Sequence, residues 1–255
     1  MVSFHEVVKR ALTGPVCAER DYDLKIFNRK LMEIVKEYDM KFDPETPVPS
    51  DGGMADEVFK AALDFYPQVG TYCRDTGRII KFSEEEIKDS VRTAPSSVRL
   101  GEGMDERDFV ARKPESNTPP FCSVGGAIPM SSEDLLLSFS QAIGEIPLAT
   151  GICMPIPDSV YGMKIMLGSP LEIFASVRSV VLTKEGLRRA GRPGLPIVNA
   201  IPIAVSDAAT AAGSIALGPR DAYEVSAIGE MKITFSLLNK VAHALNAGGK
   251  IVAGN

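Results

Sequence analysis

Residues 191–230 of this chain have the sequence GRPGLPIVNAIPIAVSDAATAAGSIALGPRDAYEVSAIGE. The stretch opens with glycines and proline that end a helix, and it continues as an apolar, β-branched run at 197–201. Small polar residues follow at once, among them Ser206 and Asp207. An apolar run of this kind is typical of a parallel strand that is buried on both faces and leads into a functional loop. We therefore predict a strand whose carboxyl end carries polar side chains.

Strands and helices alternate along the second half of the chain. The predicted strands are 148–154, 197–201, 231–235 and 250–253, and the predicted helices are 131–143, 169–190, 208–217 and 237–245. This alternation predicts right-handed βαβ units and a parallel sheet. Polar residues at the carboxyl ends of the strands favour a TIM-type (β/α) barrel over an open sheet. About four or five βα units are visible against the eight of a closed barrel, so the predicted fold class is α/β with a partial barrel.

The first part of the chain has a different pattern. Helical periodicity covers 4–40, and a second helix is predicted to end at Pro67. Residues 71–82 are predicted to form a β-hairpin, and Ser83 begins a capping-box sequence. We therefore divide the chain into an N-terminal helical and hairpin region, 1–96, and an incomplete β/α barrel portion, 97–255. Since a partial barrel has an open apolar edge, we expect a fragment or a homo-oligomer.

Composition argues against several classes of function. A net charge of -5 and a pI near 5.3 give no basic surface for nucleic acid. The four cysteines show no CxxC spacing and the chain has two histidines, so no metal site is expected. The sequence shows no signal peptide and no membrane-spanning run, which predicts a cytoplasmic protein without membrane contact. No GxGxxG or Walker loop stands between a strand and a helix, which disfavours a nucleotide-binding Rossmann domain.

Five polar residues are candidates for the functional site. Glu230 stands before an apolar alternation, where a carboxylate beside a polar cavity suits acid/base work or the binding of an amine; the alternative is a capping or salt-bridged carboxylate. Ser206 and Asp207 either contact the substrate or cap the helix that follows. Asn199, inside the apolar strand, must be hydrogen-bonded if buried, and interior packing competes with substrate contact. Glu224 is a further candidate, for which a solvated face is the alternative.

Four stretches follow one another along the chain: Cys17 with DYDLKI at 21–26, GTYCRDTGRIIK at 70–81, the predicted helix with its stop at 169–194, and 224–243. In sequence and order they resemble the monomethylamine methyltransferases of methanogenic archaea, which are corrinoid-dependent barrel enzymes. The resemblance covers essentially the whole chain. It implies a TIM barrel behind the N-terminal region, with the active site at the mouth formed by the carboxyl ends of the strands.

The resemblance also implies a chemistry. A methylated amine would lose its methyl group to a corrinoid, which a cognate partner protein carries and this chain does not bind directly. Members of the family hold pyrrolysine near glutamates in a barrel loop, where its ring takes up methylamine. Glu230 corresponds to one of those glutamates. Ser206 stands at the pyrrolysine position in an ungapped match, and a serine hydroxyl cannot form that covalent adduct.

Two functions are predicted as alternatives, and both depend on a barrel rim that gathers Ser206, Asp207 and Glu230. The first is methyl transfer from monomethylamine or a related amine, with Glu230 as the catalytic residue and the other four candidates in contact with the substrate. The second is an inactive or truncated homologue that binds the corrinoid protein or serves as a structural subunit, because pyrrolysine and the later barrel strands are missing. A third, an unrelated TIM-barrel lyase, requires a phosphate-binding nest that the sequence does not offer.

Overall fold

The computed structural model describes residues 2–47, 51–113, 116–126, 128–198, 206–225 and 229–253. The helices are α1 (Phe4–Thr13), α2 (Glu19–Asp21), a π-helix (Tyr22–Phe27), α3 (Asn28–Glu37), α4 (Gly52–Val69), α5 (Glu84–Thr93), a 3₁₀ turn (Gly103–Asp105), α6 (Glu133–Gly144), α7 (Pro170–Arg189), α8 (Asp207–Ser214) and α9 (Phe235–Ala247). The strands are β1 (Thr71–Cys73), β2 (Arg78–Ile80), β3 (Ser97–Leu100), β4 (Arg107–Val110), β5 (Ser123–Gly125), β6 (Pro129–Met130), β7 (Gly151–Cys153), β8 (Ile156–Pro157), β9 (Ser159–Val160), β10 (Met163–Lys164), β11 (Ala222–Val225), β12 (Lys232–Ile233) and β13 (Lys250–Ala253). The chain divides into a first compact unit, Met1–Ala94 with Ala227–Phe235, and a second, Pro95–Ser226 with Ser236–Asn255.

Signals at helix ends account for helices of the first unit. Ser83 and Glu86 form the predicted capping box at the start of α5, each side chain accepting a hydrogen bond from the other residue's backbone N–H. The prediction that the second helix ends at Pro67 is wrong, because α4 continues to Val69. In this last turn the proline deprives only the carbonyl four residues earlier of its N–H donor. Gly70 ends the helix with a φ of 71°, a conformation that glycine adopts without strain.

The predicted hairpin is confirmed, and a third strand joins it. β1 and β2 pair antiparallel, and β12 lies parallel to β1 on its other side, with Tyr72 opposite Lys232. The stretch 231–235 is therefore not a strand of the barrel portion, as predicted, but contributes β12 to the first unit. Phe235 already begins α9, and its backbone N–H donates to Asp75 of the hairpin turn at 2.7 Å.

Aromatic side chains hold the π-helix against the rest of the first unit. The core of this unit contains Tyr22, Ile34, Ala61, Phe65, Val69, Tyr72 and Ile79. The rings of Tyr22 and Tyr72 stack with 5.0 Å between their centroids, and Phe27 meets Phe65 edge to face at 5.7 Å. Such pairs add to the free energy gained from burial alone, so the π-helix is fixed to both β1 and α4.

The second unit contains a row of parallel strands in chain order. β5 pairs with β7, and Ile197 forms a parallel bridge with Ile152 of β7. The carbonyl oxygen of Ile197 accepts a hydrogen bond from the N–H of Ala222 in β11 at 2.8 Å, and β11 pairs with β13. The helices α6, α7, α8 and α9 lie between successive members of the row along the chain. The predicted α/β character and the parallel pairing are confirmed.

The two faces of this row pack differently. One face packs on helices in a cluster that includes Ile143, Ile152, Val180, Leu187, Ile197, Tyr223 and Ala244. The other face contributes to a second cluster of Leu100, Val198 and Ala222, with Phe121 and Val252 packed against it. Side chains alternate along a strand, and Glu224 is opposite Val252 in the β11–β13 register. Glu224 therefore lies on the same face as Ala222, away from the helices.

Small residues let α7 approach α6 and α8 closely. A Cβ atom on Gly186 of α7 would lie 2.7 Å from Ser140 Cβ of α6, so the two helices touch at this glycine. The hydroxyl of Ser176 donates to the carbonyl oxygen of Ala209 in α8 at 2.5 Å. The buried hydroxyl of Ser176 is thus satisfied by a backbone carbonyl.

Two boundaries differ from the predicted ones. The compact units divide at residues 94 and 95, and 227–235 belongs to the first unit, whereas the predicted division after residue 96 placed it in the second. The pairing of β12 with β1 is the reason. β11 lies where no strand was predicted, because the acidic residues Asp221 and Glu224 hide a short apolar pattern. In the part of the chain that the structure describes, no helix has both the length and the apolar character needed to cross a membrane.

Candidate functional site

Glu230 lies in a cleft of the first unit. The cleft has a volume of about 470 Å³ and is lined by Glu19, Asp23, Phe27, Asn28, Arg74, Glu230 and Lys232. The N-terminal helical segment supplies the first four of these residues, and Arg74 follows β1 directly. The lining therefore combines three carboxylates with two cations, and the cleft is strongly polar.

Lys232 links the charged residues of the cleft. Its Nζ atom lies 2.7 Å from Asp23 Oδ1 and 3.0 Å from Glu19 Oε1, and its side chain is only 11% exposed. The ion pair with Asp23 raises the pKa of Lys232, so the ammonium group stays charged. Arg74 Nε lies 3.3 Å from the same Glu19 oxygen. Both cations of the cleft are therefore engaged by Glu19 and Asp23.

Glu230 itself is exposed, and its carboxylate has no ion-pair or hydrogen-bond partner within the described residues. A carboxylate in this setting can pair with a cationic ligand or accept a proton from one. Phe27 contributes aromatic surface to the same cleft, and aromatic faces attract cations. The arrangement suits a small ligand that carries positive charge.

Ser206 belongs to the second unit and is the N-cap of α8. Its hydroxyl oxygen accepts a hydrogen bond from the backbone N–H of Ala209 at 3.2 Å and donates to Glu172 Oε2 at 2.7 Å. Glu172 is fully buried in the first turn of α7 and also accepts from the N–H of Gly168 at 2.8 Å. Its Oε1 atom has no hydrogen-bond partner in the described part of the chain. The capping alternative for Ser206 is therefore confirmed, and its hydroxyl proton points to a buried carboxylate.

Asp207 and Glu224 share an electrostatic neighbour, Lys240 of α9. The charges of both carboxylates favour the protonated amine, yet burial has the larger effect and lowers the pKa of Lys240. Asp207 is exposed, and its Oδ2 atom accepts a hydrogen bond from Asn239 at 2.7 Å. Glu224 is half-buried on β11. Both carboxylates thus lie within electrostatic range of Lys240.

A comparison with protein families shows to which family this chain belongs. A family model described as "Monomethylamine methyltransferase MtmB" matches residues 2–255. The chain belongs to the MtmB family.

Known MtmB proteins of Methanosarcina are similar to this chain along most of its length. Monomethylamine methyltransferase MtmB2 of Methanosarcina barkeri (strain Fusaro) is 28% identical over 242 residues, which are 94% of this chain and 52% of that protein. MtmB of Methanosarcina mazei is 29% identical with the same coverage. The crystal structure of MtmB from Methanosarcina barkeri has a TM-score of 0.89 and 27% identity, covering 98% of this chain and 55% of that one. The chain thus spans about half the length of the MtmB relatives it matches.

Within this MtmB family member, the candidates from sequence fall into two groups. Ser206, Asp207 and Glu224 lie in the second unit, and Glu230 lies in the first. Asn199 lies outside the described residues. A single rim that gathers Ser206, Asp207 and Glu230 stays a prediction, as do the roles of these residues toward a substrate. No group of His, Cys, Asp or Glu residues suited to a metal ion is found among the described residues.

Sequence reasoning missed two residues that organise these groups, Glu172 and Lys232. Glu172 stands three positions after Ser169 at a helix start, so it has the appearance of a capping-box glutamate. Ser169 makes no side-chain cap bond, however, and Glu172 binds Ser206 instead. Lys232 occupies a polar position of the alternation at 231–235, which predicts an exposed side chain, whereas the structure buries it beside its paired anions. The local pattern therefore gives no signal for the role of Lys232.

Proposed function

We propose that this chain is part of a methyltransferase that moves a methyl group from a methylated amine, monomethylamine or a related one, to a corrinoid carried by a partner protein. The observation that carries the proposal is the match of the MtmB family model over residues 2–255. The TM-score of 0.89 to an MtmB crystal structure supports it. Because those relatives are longer than this chain, activity, substrate and partner are all part of the proposal.

The fold we propose for the second unit is a segment of a (β/α) barrel. The supporting observations are the parallel row from β5 to β13 and the helix between each pair of successive members. A barrel of this type places its reactive groups at the carboxyl ends of the strands, where the loops leading into the helices begin. In this proposal Ser206 and Asp207, at the start of α8, and Glu224, near the carboxyl end of β11, belong to that rim. An open row of strands has exposed edges, so we also propose that the chain forms a homo-oligomer.

The proposed reaction needs side chains that bind the amine and a side chain that holds or moves its proton. In this proposal a reduced corrinoid on the partner protein would supply the electron pair that takes up the methyl group. The C–N bond of the protonated amine would break, and the leaving amine would keep the electron pair of that bond and all the protons on its nitrogen. At neutral pH a methylated amine is a cation, which suits carboxylates. We assign the proton-handling role to Glu230 and substrate contacts to Asp207 and Glu224. A similar crystal structure is that of an MtmB complex with hydroxylamine, which like methylamine has a nucleophilic nitrogen.

The experiment that tests this proposal mixes the purified chain with monomethylamine and a reduced corrinoid protein, and follows methylation of the corrinoid by its visible absorbance. Methyl transfer is expected with monomethylamine or another methylated amine. Glu230→Gln is expected to lower the rate about a hundredfold, since a general acid or base contributes on this order. Glu37→Gln, an exposed glutamate of α3, is the matched control and should leave the rate unchanged. An unchanged rate in Glu230→Gln would contradict the assigned role.

A second candidate function is a non-catalytic subunit that binds the corrinoid protein. The observation in its favour is the role of Ser206, which caps α8 and donates to Glu172 and offers no amine-reactive group. This candidate predicts binding of the corrinoid protein in a sedimentation or calorimetric titration, together with no methyl transfer from mono-, di- or trimethylamine. Methyl transfer by the isolated chain would exclude it.

A further inference from the structure

The turn that carries Glu230 has a strained backbone. Met231, the residue directly after Glu230, has a φ of 57°, in the left-handed region. A residue with a side chain adopts this conformation at a cost of about 1 kcal/mol or more, so it persists only where surrounding contacts enforce it. The contacts of Met231 and Lys232 therefore determine where the Glu230 carboxylate stands.

Two consecutive residues of the π-helix make these contacts. The hydroxyl of Tyr22 lies 3.1 Å from the carbonyl oxygen of Gly70 and 3.3 Å from that of Met231, so its single proton is shared between them. Asp23 Oδ1 lies 2.7 Å from the ammonium group of Lys232. On the opposite side, the backbone N–H of Tyr72 in β1 donates to the same Met231 oxygen at 2.9 Å. Met231 is thus held between the π-helix and β1.

The π-helix packs its aromatic side chains in the core of the first unit and also reaches the turn that carries Glu230. Such helices are rare and occur frequently at functional sites. Here the irregular turn directs Tyr22 and Asp23 at adjacent residues of the distant β12 segment, while Phe27 lines the cleft beside Glu230. The ring of Tyr22 is fully buried against Tyr72, so the hydroxyl is aimed by rigid packing.

We propose that Tyr22, Asp23 and Lys232 are positioning residues for Glu230, which they hold in the cleft through the backbone of Met231. The proposal rests on the role of Glu230 in the proposed function. None of the three residues handles the amine proton in this scheme. They act by fixing the turn, and a misplacement of about 1 Å in a catalytic group is enough to lower a rate by up to a hundredfold.

The test compares Tyr22→Phe with Tyr66→Phe in the full chain. Both changes remove one phenolic hydroxyl in the first unit, but the Tyr66 hydroxyl bonds Thr71 at 2.7 Å and makes no hydrogen bond to Met231 among the described residues. Two quantities are measured: the amide hydrogen exchange of the peptide 229–235, and kcat and KM for methyl transfer from the active methylamine to the corrinoid protein. Tyr22→Phe and Lys232→Met are each expected to speed exchange about tenfold and to lower kcat about tenfold with little change in KM. Tyr66→Phe should match the wild type in both.

The outcomes separate the two proposals. Exchange in Tyr22→Phe that equals the Tyr66→Phe control would overturn the positioning role, whatever the activity. A loss of kcat in Glu230→Gln with normal kcat in both Tyr22→Phe and Lys232→Met would also overturn it. A third outcome is that Glu230→Gln keeps the wild-type rate while Tyr22→Phe speeds exchange. The role proposed for Glu230 then fails. The contacts of Tyr22 with the turn are then structural only, which overturns the positioning role in catalysis.

Discussion

The hydroxyl of Ser206 donates a hydrogen bond of 2.7 Å to Glu172, a carboxylate that is fully buried. The hydroxyl oxygen of Ser206 also caps α8. Ser206→Ala therefore removes an N-cap and one hydrogen-bond donor to a buried carboxyl group, and we expect a loss of about 2–3 kcal/mol in the free energy of unfolding. Urea denaturation followed by circular dichroism measures this loss.

The matched control is Ser169→Ala. Ser169 is also an N-cap, of α7, but its hydroxyl makes no cap bond and is buried without a partner among the described residues. Its removal is expected to change stability by less than about 0.5 kcal/mol or to raise it. A loss in Ser169→Ala equal to that in Ser206→Ala would contradict the assigned contacts.

Lys232→Met is expected to destabilise the chain in a pH-dependent manner. The ion pairs of Lys232 are neither fully exposed nor fully buried, so we expect a loss of about 2 kcal/mol at pH 7. Because pairing raises the pKa of Lys232, the stabilisation is complete below the unfolded value of about 10.4 and is lost as the pH rises through the folded value. Chemical denaturation measures the free energy of unfolding at pH 7 and at alkaline pH. The difference between Lys232→Met and the wild type should be smaller at alkaline pH.

Lys240→Met is expected not to lower the free energy of unfolding, in contrast to Lys232→Met. Burial lowers the pKa of Lys240, so its charged form opposes folding, and an apolar replacement should be neutral or stabilising at pH 7. Equal losses in the two lysine variants would mean that side-chain packing, and not charge pairing, explains Lys232.

Glu86→Gln should weaken the dependence of the protein's stability on pH in the acid range. Arg10 holds the Glu86 carboxylate with hydrogen bonds of 2.6 and 2.8 Å, and these bonds, with the Ser83 N–H, lower the pKa of Glu86 to about 2. A depressed carboxyl pKa stabilises the fold above the unfolded value of about 4.3, and this contribution is lost as the pH falls toward 2. Thermal unfolding between pH 2 and 5 should therefore depend less on pH in the variant, while the adjacent Glu85→Gln follows the wild type.

Gly186→Ala is expected to destabilise the α6–α7 contact despite the better helix propensity of alanine. The new Cβ would lie 2.7 Å from Ser140 Cβ and 2.8 Å from the backbone nitrogen of Gln141. Overpacking of this kind costs about 2–3 kcal/mol against a propensity gain of about 1 kcal/mol, so a net loss of about 1–2 kcal/mol should appear in denaturation. Gly52→Ala, where a Cβ meets nothing within 4 Å, tests propensity alone and should not destabilise.

The sequence predicts those parts of the structure that depend on local chemistry. The capping box at Ser83, the hairpin and the proline-started helix α7 are present, because each depends on residues within a few positions of one another. β11 escaped prediction because a half-buried glutamate weakens its apolar pattern. The partner of β12 could not be derived from local sequence, since β1 lies far away in the chain and a parallel pairing leaves no turn signal.

The same limit applies to the candidate site. The sequence predicts Glu230 because a carboxylate directly before an apolar run is conspicuous, and Ser206 because it directly follows such a run. Glu172 was overlooked because its position three residues after a serine indicates a cap, and only the tertiary contact with Ser206 shows another partner. Long-range pairs of this kind are fixed by packing, which periodicity does not contain.

The first unit is discontinuous, and this has a consequence for synthesis of the chain. β1 receives its parallel neighbour only from β12, which the ribosome makes after most of the second unit. Until then one edge of the hairpin keeps unpaired N–H and carbonyl groups, and Glu19 and Asp23 lack their ion pairs with Lys232. The amino-terminal part of the protein therefore completes its folding only after β12 has left the ribosome, although it leaves the ribosome first.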